Sequence, residues 1–134
     1  MSDPNKALVR RFLEEVVNRG NTTLLADLVT VDHVRHAPDG DLYGLEGIRI
    51  DVAGWRTGFP DLRLVVEDLI AEGERVAYRY RLYGTHAGPF LALPATGRPV
   101  AVSVLGVDRV VGGRLAESWV CFDAIGLLRQ LGAL

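Results

Sequence analysis

The chain has little of what would staple it or hold a metal. Cys121 is its only cysteine in 134 residues, so neither an internal disulfide nor a cysteine-type zinc site can form. It has no surplus of positive charge. Fifteen Lys and Arg stand against 17 Asp and Glu, a net charge of −2. Without a basic run or interleaved aromatics, the sequence offers no case for nucleic acid or an anionic membrane surface. No apolar run approaches the ~20 residues of a membrane span. Met1-Ser2-Asp3-Pro4-Asn5 lacks the basic-then-apolar order of a secretory signal, so a cytoplasmic location is expected. A Gly-x-Ser-x-Gly elbow and a glycine-rich phosphate loop are both missing, and Gly112-Gly113 reads as a hairpin turn. His33 and His36 stand three apart with no third ligand nearby. Neither a cofactor nor a metal is therefore expected.

What is present is ordinary globular material, 49% hydrophobic and 24% charged. One domain spanning residues 1–134 is expected, large enough to bury roughly two-thirds of its unfolded surface. Leu8, Phe12 and Val16 recur at helical spacing after a cap at Ser2 or Asp3, with Pro4 in the first turn. Gly20 suits a left-handed stop. A short helix follows from Thr22 or Thr23, then an extended stretch from Val29 to Pro38, with Pro38-Asp39-Gly40-Asp41 read as a turn. A third helix runs from Leu45 or Glu46 to about Thr57. Strands are then expected over 62–70, 75–83, 99–110 and 115–122, with an irregular connection over 86–97. Asp123 can cap a closing helix through Leu131. Helices followed by a meandering antiparallel sheet define an α+β fold, with helices on one face of a curved sheet and an internal pocket for a small molecule.

Four polar residues are candidates for that pocket. His36 reads as a general base or hydrogen-bond donor, or as a histidine satisfied by a nearby carbonyl; His33 reads as a surface residue. His86 sits in Gly84-Thr85-His86-Ala87-Gly88, where a strand breaks into a loop. Glu117 alternates with Leu115, Trp119 and Cys121, so an indole beside it would raise its pKa; the plainer reading pairs it with Arg79, Arg81 or Arg109. Asp123 reads as a helix cap that can also line a cavity. Arg79 and Arg81 alternate with Tyr78, Tyr80 and Leu82, the pattern of a face turned to solvent or a partner subunit. Tyr43, Trp55, Phe59, Tyr80, Phe90 and Trp119 are read as core or as walls for a planar, hydrophobic small molecule.

A set of segments, in order along almost the whole chain, resembles the SnoaL-like polyketide cyclase family. They are His36-Ala37-Pro38, Gly44-Leu45-Glu46-Gly47, Phe59-Pro60-Asp61-Leu62, Gly84-Thr85-His86-x-Gly88, Leu93-Pro94-x-Thr96-Gly97, Glu117-x-Trp119 and Asp123-x-x-Gly126-Leu127-Leu128-x-Gln130-Leu131-Gly132. The resemblance implies a cone-shaped sheet wrapped around N-terminal helices, as in nuclear transport factor two and ketosteroid isomerase. It implies a cofactor-free enzyme that closes rings by intramolecular aldol chemistry through general acid–base catalysis, and a homodimer. Non-catalytic small-molecule binding and epoxide opening on the same fold are its alternatives. Many family members carry His and Asp on either side of the last-strand Trp, that Asp being the acid–base group. Ser118 and Val120 hold those positions here. The roles therefore fall to His86 and Glu117 as acid–base pair, His36 as orienting group and Asp123 in support.

Overall fold

The computed structural model describes residues 3–134. Asp3 caps helix α1 (Pro4–Arg11), its carboxylate accepting from the Asn5 and Lys6 N–H groups; Ser2, the alternative cap, lies outside the described residues. From Phe12 to Asn18 the helix widens into π geometry, an arrangement that often marks a functional site. Its end is held from outside. Arg56 Nη1 donates to the carbonyls of Val17 and Asn18, and Asn18 Oδ1 accepts from Leu64 N–H at 2.7 Å. Gly20 takes the left-handed stop at φ +69°. A 3-10 turn (Thr22–Leu24) leads into the one-turn helix α2 (Leu25–Leu28).

Strand β1 (Val29–Ala37) and β2 (Gly40–Tyr43) form a hairpin. The turn is thus only Pro38-Asp39, and Gly40 and Asp41 already pair with Ala37 and His36. Helix α3 (Gly44–Gly58) follows, with Gly47 placed where a Cβ would meet Leu42 at 3.0 Å. Strands β3 (Arg63–Glu72), β4 (Arg75–Thr85), β5 (Pro99–Val111) and β6 (Arg114–Phe122) then meander antiparallel. Asp123 accepts from Gly126 N–H at 2.9 Å and caps α4 (Ala124–Gln130).

The six strands make one curved, unclosed sheet in the order β2-β1-β6-β5-β4-β3. One pair departs from the antiparallel meander: β1 runs parallel to β6, because the chain returns to the N-terminal hairpin only after crossing the whole sheet. The helices lie on the concave face. Val9, Leu13 and Val16 are buried there against Val76, Leu82, Val102, Val104 and Leu115 from the strands. Burying each such side chain is worth about 1.5–3 kcal/mol, so this face carries the stability of the fold. On the convex face Ile70, Leu105 and Trp119 remain exposed. No helix of the described residues is long and apolar enough to cross a membrane.

Candidate active site

Period-two alternation sends neighbouring residues of each strand to opposite faces, and it divides the ionisable groups into two sets. The concave set surrounds an enclosed cavity. Its apolar wall comes from the widened helix (Phe12, Leu13, Val17), from α3 (Ile48, Val52, Trp55) and from Val104, Val120 and Phe122 of the sheet. His33, Arg35, Asp51, Tyr78, Tyr80 and Ser118 complete the lining. The cavity is narrow, about 50 Å³. Pockets for drug-sized ligands run to roughly 300–1,000 Å³, so a polycyclic guest requires the helices or aromatic side chains to move outward.

The polar groups are built into the strands and α3. His33 is 3% exposed, a correction to its reading as a surface residue. His33 shares the parity of buried Val29 and Arg35 and so faces inward, while the register shift between Val29 and Val34 accompanies the outward turn of Val31. Its Nε2 lies 2.9 Å from Ser118 Oγ, while Nδ1 is buried without a partner. Burial, with the nearby Arg35 charge, lowers the His33 pKa to about 4, so it is neutral at pH 7. Asp108 stands directly across from Ser118. Burial raises its pKa to about 7 against hydrogen bonds from the Ser118 and Tyr78 hydroxyls, the latter at 3.3 Å. Tyr78 crosses to Asp108 because Gly106 opposite it has no side chain; a Cβ there would meet the Tyr78 hydroxyl at 2.5 Å. At the helix side Arg35 Nε faces Asp51 Oδ2 at 3.3 Å. Burial raises the Asp51 pKa while the Arg35 guanidinium pulls it down. Burial also pushes the Tyr80 phenol up.

The convex set is different in kind. His36 donates through Nε2 to Glu117 at 2.7 Å and through Nδ1 to Asp41 at 3.0 Å when protonated, and these bonds raise its pKa. Glu117 is lowered first by His36 and then by Arg109, whose Nη2 donates at 3.2 Å. Trp119 stacks on the His36 ring at 5.5 Å, with the Arg75 guanidinium over its other neighbourhood at 5.4 Å. This row borders a shallow apolar groove of Ala37, Pro38, Ala77, Leu105, Val107 and Cys121.

The four sequence candidates are therefore not brought together. His36 and Glu117 meet on the convex face. His86 is fully buried within the 86–98 loop, where Thr96 N–H donates to its Nδ1 and its ring packs on Phe59. That imidazole latches the loop, whose Phe90–Leu93 turn carries left-handed Leu91 and Ala92. Asp123 caps α4. Of the six aromatics, Trp55 and Tyr80 line the cavity, Phe59 and Phe90 pack against Trp55, and Tyr43 and Trp119 are exposed. Arg79 pairs with Glu67 and Asp68 on the convex face. Sequence reading missed Arg35 and Asp51 as lining residues and Asp108 behind them. For Asp108 the signal was available: it shares its strand face with Val100, Val102, Val104, Gly106 and Val110. Arg35 shares the parity of the buried Val29 on its strand.

Among the described residues no group of three or more His, Cys, Asp or Glu is placed to hold a metal ion. A curved α+β sheet folded over helices around an apolar hollow, with a few ionisable groups set in its wall, defines the nuclear transport factor two-like fold class. Within that class, residues 7–131 match the SnoaL-like polyketide cyclase family, and the chain belongs to it. It is 30% identical over 131 residues to the aklanonic acid methyl ester cyclase DnrD of Streptomyces peucetius, covering 93% of this chain and 88% of that one. Among solved structures, TsrD from Streptomyces laurentii superposes with a TM-score of 0.88 at 31% identity, over the full length of both chains. IdmH from Streptomyces antibioticus gives 0.83 at 32% identity, over 96% of this chain and 98% of that one.

Proposed function

We propose that the protein is a cofactor-independent cyclase of the polyketide-cyclase type, closing a ring in a hydrophobic, oxygenated metabolite by general acid–base chemistry in the concave cavity. The observation that carries this reading is Asp51, a carboxylate in an apolar, aromatic-walled cavity with one cationic neighbour. Burial raises its pKa and so strengthens it as a base, while the Arg35 guanidinium pulls toward the ionised form.

In the proposed reaction Asp51 takes the proton from a carbon next to a carbonyl. The resulting enolate carbon bonds to a second carbonyl carbon of the same molecule. That carbonyl's π pair moves to its oxygen, which takes the proton back from Asp51. The product is an isomer of the substrate. The hydroxyl of Tyr80 lines the same cavity and supplies a donor for the transient oxyanion, and the narrow wall holds the flexible chain in its reactive shape. On this reading the carboxylate comes from α3, since Val120 stands where the resemblance would put the acid–base group.

The test is to incubate the protein with aklanonic acid methyl ester, the compound named for its relative, and look for a ring-closed product of unchanged mass. Asp51→Asn is expected to slow that conversion by about 10²–10⁴-fold. Binding of the ester without turnover would instead identify a non-catalytic binding module. The convex face, with Ile70, Leu105 and Trp119 exposed, is where a second copy would pack to form the homodimer the family resemblance implies. Sedimentation as a monomer at micromolar concentration would remove that part of the proposal.

A further inference from the structure

Resting on the reading of the cavity as the substrate site, we infer that Arg35 makes it selective for a ligand that carries a carboxylate on a flat aromatic body. Arg35 is 8% exposed and lines the cavity. A guanidinium has five N–H donors in a planar fork, so one buried this deeply needs several acceptors. Here one edge is engaged: Nε faces Asp51 at 3.3 Å, longer than a good charge-assisted hydrogen bond. Among the described residues no hydrogen bond reaches Nη1 or Nη2. The two-pronged edge, the one that matches the two oxygens of a carboxylate, is left over.

The rest of the wall leaves that charge unbalanced. Val120 lines the cavity and brings no charge to it. Glu117 is turned to the convex face and held there by His36 and Arg109. Asp108 lies behind Tyr78 and Ser118, hydrogen-bonded to both and outside the lining. His33 adds no charge at neutral pH, and its buried Nδ1 is a second polar atom without a partner. The guanidinium edge opens on an apolar cavity with one long ionic contact, an edge that an anionic guest fits. Phe12, Trp55 and Phe122 supply flat apolar surface beside it, which sets the body of the guest.

Benzoate and methyl benzoate serve as probes, since they share ring and shape and differ in charge. Binding is followed by isothermal titration or by chemical-shift changes, with no turnover needed. Wild-type protein is expected to bind benzoate about tenfold or more tightly than its ester, and Arg35→Gln to abolish that preference while ester affinity stays within about threefold. Equal binding of the two, binding of neither, or a preference that survives Arg35→Gln overturns the inference. Should Arg35→Gln not fold, Asp51→Asn gives a second reading. Freeing Nε from its competing carboxylate is expected to tighten benzoate several-fold, and unchanged or weaker binding overturns the inference. A protein that binds benzoate through Arg35 yet closes no ring overturns only the proposed reaction. One that closes rings but is indifferent to benzoate overturns only this selectivity.

Discussion

Arg35 and His36, Ser118 and Glu117, and Asp108 and Arg109 are neighbours in the chain that part company at the sheet. The first of each pair turns to the concave side, Arg35 and Ser118 lining the cavity and Asp108 buried behind Ser118, and the second joins the convex row. On the convex side His36, Glu117, Arg109 and Arg79 each have an opposite charge in contact, and water screens what remains. That row is a set of satisfied ion pairs, each worth about 0–1 kcal/mol. On the concave side the same residue types are out of water and short of partners, and their proton affinities move by units. Identical chemistry becomes decoration or machinery according to which way a strand residue points. Perturbed groups in a cleft are the better guide to function than the tightest hydrogen bonds.

The largest effect that would sharpen this contrast concerns Asp108. Its pKa rises from 3.8 unfolded to about 7 folded, so the folded state holds a proton that the unfolded chain has lost, and stability falls as pH climbs through that window. The decline is on the order of 4 kcal/mol, and Asp108→Asn, which keeps the shape without the charge, should flatten it in urea unfolding at pH 5 and pH 8. A variant that declines as steeply as wild type breaks the account of this face.

Next come the histidines. Proton titration followed by NMR should find His33 neutral down to about pH 4, and His36 still protonated above its ordinary 6.5. The signs are opposite. His33 withholds stability as pH falls from 6.5 to 4, by on the order of 3 kcal/mol, because only the unfolded chain takes the proton. The His36 pairs stabilise below 6.5 and lose their contribution as pH rises through the raised folded value. Glu117, held low by His36 and Arg109, contributes above its ordinary 4.5 and loses this as pH falls through its folded value.

Gly106→Ala should cost about 1–3 kcal/mol in unfolding free energy, since the new methyl drives the Tyr78 ring off Asp108. The smallest effect is expected from Glu117→Gln, under about 1 kcal/mol in stability and within about threefold in turnover. A large loss of turnover there would move the chemistry to the convex row.

Most of the architecture was legible in the sequence. Helical spacing of Leu8, Phe12 and Val16, the glycine at 20 and the Glu72-Gly73-Glu74 and Gly112-Gly113 turns place the helices and the β3–β6 meander close to where they stand. The parallel β1–β6 pair was not legible, because it joins residues some 80 apart and leaves no local signal. Nor was β2, a four-residue strand hidden in what reads as turn residues. The site was legible in part. Trp55 and Tyr80 were recognised as walls of the cavity. His33, read as a surface residue, is buried, since it shares the inward parity of Val29 and Arg35, and His36, for which a cavity and a surface setting were both open, faces outward. His86 and Asp123 fell in family motifs whose work here is to hold a loop and start a helix.

The central claim is that a substrate sits against Arg35, Asp51 and Ser118 rather than in the groove beside Trp119. Titrating the protein with 2-acetonaphthone, a planar aromatic ketone, while following methyl, imidazole and indole signals by NMR tests it most directly. The account predicts that Val104, Val120 and His33 shift together while His36 and the Trp119 indole stay still. Movement of His36 and Trp119 with Val104 and Val120 unchanged would contradict it.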